Sequence, residues 1–266
     1  MKKLLSIEYA KLKKLNSLRI ILLVYAVMIP LVMFMLSTFY YNVIHPLIPI
    51  LADIWGFPSI WNFATYSASF FNVLMGVTVV IVVCNEYSFR TMKQNVIDGL
   101  SKRQVILSKF LVVLVLSTIV TLYTALVAFV FGGINSGFSN ALEDSYFILI
   151  YYLQTLCYFS FAFFFAVLVK RTALSIIFFI VSFIVESIIG SVLAATVSAK
   201  VYLFFPLNVF STLTPSPIMT QLNALAAKQT GEVPPALDLT TNVLISVGYM
   251  LLFFIIANQA LKRRDL

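Results

Sequence analysis

Few residues in this chain have side chains suited to chemistry, and their neighbours limit what each can do. His45 is the single histidine; with no set of carboxylates or thiols near it in sequence, it cannot build a metal site and reads as structural. The two cysteines, Cys84 and Cys157, are too few for a disulfide scaffold or a thiolate cluster. Residues 132–139 read Gly-Gly-Ile-Asn-Ser-Gly-Phe-Ser. That run has the glycines of a phosphate loop, but Phe138 stands where the phosphate-binding lysine belongs, and no strand precedes it. There is no His-Glu-x-x-His and no pair of aspartates within an apolar run. A serine nucleophile in those runs lacks a histidine base. The expectation is therefore a non-enzyme, with no catalytic residue, no metal ligand and no cofactor held by this chain.

Two places remain. Glu186 is the one acid inside a long apolar run, on a stripe with Ser175, Ser182, Gly190 and Ala194. A carboxyl there must be neutral or paired. Two readings stay open: a close helix–helix interface with Glu186 hydrogen-bonded across it, or a pathway or gate group at a subunit interface formed with Ser182 and Gly190. The second place is the stretch 85–109. Glu86 and Arg90 are spaced i, i+4 as on a helix. Phe89, Met92, Val96 and Ile97 set apolar groups on it at helical spacing. Asp98-Gly99 ends that helix, since glycine accepts the left-handed cap. Ser101 with Gln104 is a capping-box signal for a second helix. A loop that reads helix, glycine break, helix, with both charge and apolar groups, suits docking into a protein groove.

The elements that must position these groups are set by composition. Of 266 residues, 61% are hydrophobic and 11% charged, against about a quarter charged in soluble domains. Six apolar runs stand out, at 20–41, 63–84, 110–131, 146–169, 172–195 and 241–261. At ~1.5 Å per residue each is long enough to cross ~30 Å of hydrocarbon. With the N-terminus placed inside, 16 of the 18 Lys and Arg fall on inner segments, which is the positive-inside pattern with both termini cytoplasmic. The +8 net charge thus reports topology and contact with anionic lipid, not nucleic-acid binding. The first run is too long for a signal peptide and reads as a retained helix. Pro30 is expected to kink it.

Residues 1–19 read as an amphipathic helix at the membrane surface, with Leu4, Leu5, Tyr9, Leu12 and Leu15 on one arc. Glu8 breaks that arc, which reads as a contact with a protein partner or with a neighbouring helix. The outer segment 196–240 is too long for a featureless loop. It reads as short re-entrant or interfacial helices, with one at 220–228. The fold class is an all-α integral membrane protein of six transmembrane helices. The 25 Phe and 13 Tyr are compatible with a lipid, peptide or other amphipathic cargo.

This pattern resembles the permease subunits of ABC-2-type ATP-binding-cassette exporters. The echo lies in Glu86, Arg90-Thr91, Gly99, Ser101, Arg103 and Lys109, with Arg90 where the family commonly has glycine. The resemblance implies six spans, an N-terminal amphipathic helix, a cytoplasmic coupling helix over 86–103 and outer re-entrant helices between the fifth and sixth spans. It also implies a separate ATPase subunit holding ATP and magnesium, a second permease subunit, and residence in a bacterial inner (plasma) membrane. Readings from other classes are an ion-coupled secondary transporter, which usually shows a repeat and midplane ligands, and a membrane scaffold without transport.

Overall fold

A computed structural model describes residues 8, 11–13, 15–47, 54–89, 91, 94, 97, 99, 101–230 and 235–263. Every regular element among them is helical. Helix α1 spans Asn16–Phe39 and continues through a π-helical turn, Tyr40–Ile44, into His45–Leu47. The helix assignment continues across Pro30, where the ring removes one backbone donor, and the π turn begins one residue past its end. Then follow α2 Ile60–Ser69, α3 Asn72–Ser88, α4 Lys102–Ser136, α5 Tyr146–Val169 and α6 Thr172–Thr196. Three short helices come next, α7 Ala199–Tyr202, α8 Pro206–Ser211 and α9 Pro217–Thr230, and α10 Leu239–Arg263 closes the described chain.

Five helices are long and apolar enough to cross a membrane: α1 with its extension, α4, α5, α6 and α10. The run at 63–84 reads in sequence as one span. The structure divides it into α2 and α3, which meet at 49° and make a sixth crossing if the pair counts as one. The bend is held by polar contacts. Phe71 N–H donates to the Ala68 carbonyl at 3.0 Å, and Tyr151 Oη lies 3.4 Å from the same oxygen. Asn72 Oδ1 takes Tyr151 and Thr155 hydroxyls at 3.3 and 3.4 Å. Neighbouring helices thus satisfy the backbone that the break frees, the condition for a broken helix at membrane depth.

Helix α5 is the hub. It buries 67% of its most apolar window, against 17% for α1, α6 and α10, and packs on α2, α3, α4, α6, α8 and α10. Its aromatic face, Phe161, Phe164 and Phe165, meets Phe178, Phe179 and Phe253. The outer faces of α1 and α6 carry exposed Leu23, Val27, Phe34, Ile184 and Ile188.

Candidate coupling site and the groups behind it

The start of α4 is built as its sequence implies. The Ser101 hydroxyl accepts from Gln104 N–H at 3.3 Å, and Gln104 Oε1 accepts from Ser101 N–H at 2.9 Å. That reciprocal pair satisfies two otherwise orphaned amides and fixes where the helix begins. Just before it, Gly99 has φ +95°, a conformation that glycine adopts without steric cost. Upstream, α3 ends at Ser88, and Thr91, Gln94 and Ile97 are helical. Thr91 Oγ1 donates to the Glu86 carbonyl at 3.4 Å. Phe89 and Ile97 are 73% and 77% exposed. The Glu86–Arg90 spacing cannot be followed, because Arg90, like Met92 and Val96, lies outside the described residues. Arg103 lies in the first turn of α4, with its side chain outside the description.

Beneath this loop lies a buried ionic cluster. Lys109, fully buried on α4, puts its ammonium 2.6 Å from both Glu8 carboxylate oxygens and against Glu86 Oε1 as well. Lys11 reaches Glu86 Oε1 from the other side at 3.2 Å. Both carboxylates are buried, Glu8 to 3% and Glu86 to 7% exposure. Two anions and two cations make a balanced set, which is what a desolvated charge requires. Glu86 Oε2 has no hydrogen-bond partner among the described residues. It sits beside a cavity of about 270 Å³ lined by Glu8, Lys11, Leu15, Phe89 and Thr91. The N-terminal segment, the end of α3 and the start of α4 are therefore tied at one point. Of the amphipathic segment 1–19, Glu8, Lys11–Lys13 and the residues from Leu15 on are described.

The second predicted place lies farther along α6. Ser175, Phe179, Glu186 and Gly190 form its buried stripe, while Ala194 is exposed. Glu186 Oε1 accepts from Asn208 N–H at 2.8 Å, so the carboxyl caps the first turn of α8, an arrangement favoured by unpaired amides at a helix start. Gly190 lies under the Tyr202 ring; a Cβ there would stand 2.3 Å from a ring carbon. Burial first, and Glu186 second, push the Tyr202 phenol above its ordinary value. Ser182, half-buried, donates to the Phe179 carbonyl of its own helix at 2.6 Å. Glu186 and Gly190 are thus covered by the chain's own α7 and α8.

Sequence reasoning missed two polar groupings inside the bundle. Tyr25 Oη lies 2.8 Å from Thr124 Oγ1 and 3.3 Å from Tyr151 Oη, next to the Asn72 contacts at the α2–α3 break. Gln154 Nε2 donates to the Phe210 carbonyl at 2.8 Å, and Thr214 Oγ1 donates to Gln154 Oε1 at 3.0 Å; these bonds pin α8 to the hub helix. The available signals were Asn72 and Gln154, side-chain amides inside apolar runs, which are costly there unless paired. Among the described residues no group of three or more His, Cys, Asp or Glu is placed to hold a metal ion.

A family model described as ABC-2 family transporter protein matches residues 4–186. The comparison with curated proteins finds no match. The matched stretch takes in Glu8, the cluster on Lys109, the loop with Phe89 and Ile97, and the hub α5. Together with helices long enough to cross a bilayer, it makes this an integral, multi-pass membrane protein with a transport permease role, and the chain belongs to the ABC-2 transporter family.

Proposed function

We propose that this permease is the membrane subunit of an exporter that works as a dimer and is driven by a separate ATP-binding-cassette ATPase docking on residues 86–103. In this reading six crossings form the transmembrane domain, α2 and α3 making one of them. Both termini and the docking loop lie in the cytoplasm, and α7–α9 are re-entrant or interfacial on the outer side. ATP and magnesium belong to the partner, and this chain performs no hydrolysis.

One observation carries the reading. Phe89 and Ile97 stand 73% and 77% exposed, on a loop whose base is fixed by the Glu8–Lys109–Glu86 cluster. Large apolar side chains held out from a braced segment support a protein contact there. Glu8 and Glu86 then act from within, holding the loop in register, while Phe89, Thr91, Ile97, Gly99 and Ser101 offer the surface. Membrane extracts of a cell expressing both subunits provide the test. Phe89→Asp with Ile97→Asp should cut co-purification of the ATPase by roughly tenfold, about 1.4 kcal/mol, at unchanged permease yield. Unchanged recovery of the ATPase would place the contact elsewhere.

A further inference from the structure

We propose that two adjoining cavities beside the α2–α3 break bind a single-chain amphiphile whose head group is uncharged and hydrogen-bonding. The first cavity, about 560 Å³, lies between α1, α2 and the start of α9 and is walled by Leu36, Phe39, Phe63, Phe71 and Ile218. The second, about 510 Å³, is lined by Tyr158, Ser211, Thr212, Thr220 and Asn223. Tyr66, Phe70, Ser216 and Met219 border both. Each volume falls within the roughly 300–1,000 Å³ usual for small-molecule sites. A methylene is close to a water in size, and water's share of liquid volume is about 30 Å³. The apolar compartment therefore takes roughly the carbons of one long alkyl chain.

Three observations point to an occupant. Ser67 lines the first cavity at 4% exposure, and its hydroxyl has no hydrogen-bond partner among the described residues. Leaving a buried donor unpaired is costly; the Ser67 oxygen is closed to solvent, and a turn of the side chain toward the cavity lets a ligand oxygen near the chain–head junction remove that cost. The cavity is also flanked by both helix irregularities: Tyr40 and Ile44 come from the π turn, and Phe70 and Phe71 from the break. Such π segments recur at functional sites. Finally, no described lining residue of either cavity is charged. An ionic head would be desolvated without a counter-ion. Hydroxyl or amide heads find Ser, Thr, Tyr and Asn side chains able to donate and accept.

The ligand comes either from the bilayer or, resting on the export reading above, as cargo. The full chain in phosphatidylcholine nanodiscs distinguishes these sources and tests the site. The protein has two tryptophans, and Trp55 packs on Phe63 of the cavity wall with ring centroids 4.5 Å apart. With Trp61→Phe leaving Trp55 as reporter, a monoacylglycerol brominated along its chain should quench fluorescence saturably. Brominated phosphatidylglycerol at the same mole fraction should not. Ser67→Leu, which fills the cavity, should weaken the quenching by about tenfold or more; Met219→Phe, at a 56% exposed wall position, should weaken it without burdening the fold. Quenching that rises linearly and equally for both lipids, or that neither variant moves, overturns the proposal. Mass spectrometry of the purified protein separates the sources. A neutral single-chain lipid carried through purification and lost in Ser67→Leu marks the bilayer, whereas a site that arrives empty and fills on addition marks cargo. No ATPase is present in this assay, so failed quenching leaves the export reading standing, and failed ATPase docking leaves the binding site standing.

Discussion

Lys109 joins three parts of the chain that sequence distance keeps apart. Its ammonium meets Glu8, 101 positions away, and Glu86, 23 positions away. Removing the cation while leaving both carboxylates strands buried charge, which costs about 3–5 kcal/mol in comparable pairs. Lys109→Met should therefore lower the thermal midpoint of the purified permease sharply. Adding Glu8→Gln and Glu86→Gln to that variant should recover much of the loss, because the buried members are then uncharged and Lys11, with 29% of its side chain exposed, reaches water. If the triple variant melts no higher than the single one, the cluster is not an electrostatic unit. At this scale sequence showed the odd residues but not their partners. Glu8 stood out because it interrupts an apolar arc, and Ser101 and Gln104 announced their own local bond. Lys109 was legible only as a basic residue at the mouth of an apolar run, since its role depends on two contacts made by folding.

Helices were the most legible elements, because twenty or so apolar residues in a row have few other structures open to them. The run at 146–169 coincides with α5, and Pro206 begins α8 as a first-turn proline does. The α2–α3 break was not legible. Asn72 marks a polar position there, but the bend depends on hydroxyls of Tyr151 and Thr155 from another helix. The same holds for Glu186: its isolation was visible, but its partner, the Asn208 amide, belongs to α8. This contact makes a prediction about elements. Glu186→Gln keeps an oxygen acceptor and should leave α8 in place. Glu186→Leu removes the cap, at about 0.5–2 kcal/mol. Gly190→Val drives a side chain into the Tyr202 ring, with an overpacking cost of about 1–3 kcal/mol. Both of these should raise the labelling rate of a Val209→Cys reporter, buried on α8, and Glu186→Gln should not. Equal rates in all three would detach α8 from the α6 stripe.

For the whole molecule, the arrangement is a buried hub with peripheral helices that leave most of their surface to lipid and, in the proposed dimer, to the second subunit. Its ends differ: a charged, braced loop at one and the short helices α7–α9 at the other. With 16 of 18 cations on the segments read as inner, Ser139→Cys should react with a membrane-impermeant thiol reagent on intact cells, and Ser101→Cys only after the membrane is opened. The reverse pattern would invert the orientation. The charge count sets this expected direction, whereas the proposed docking surface rests on the exposures of Phe89 and Ile97. The most direct measurement is photo-cross-linking in the intact membrane, with a photoreactive amino acid placed at Ile97 on the loop or at Leu142, 87% exposed near the opposite end. Cross-links to an ATP-binding-cassette ATPase from position 97 and none from 142 are expected. An ATPase captured from neither position, or only from 142, would contradict docking on the 86–103 loop.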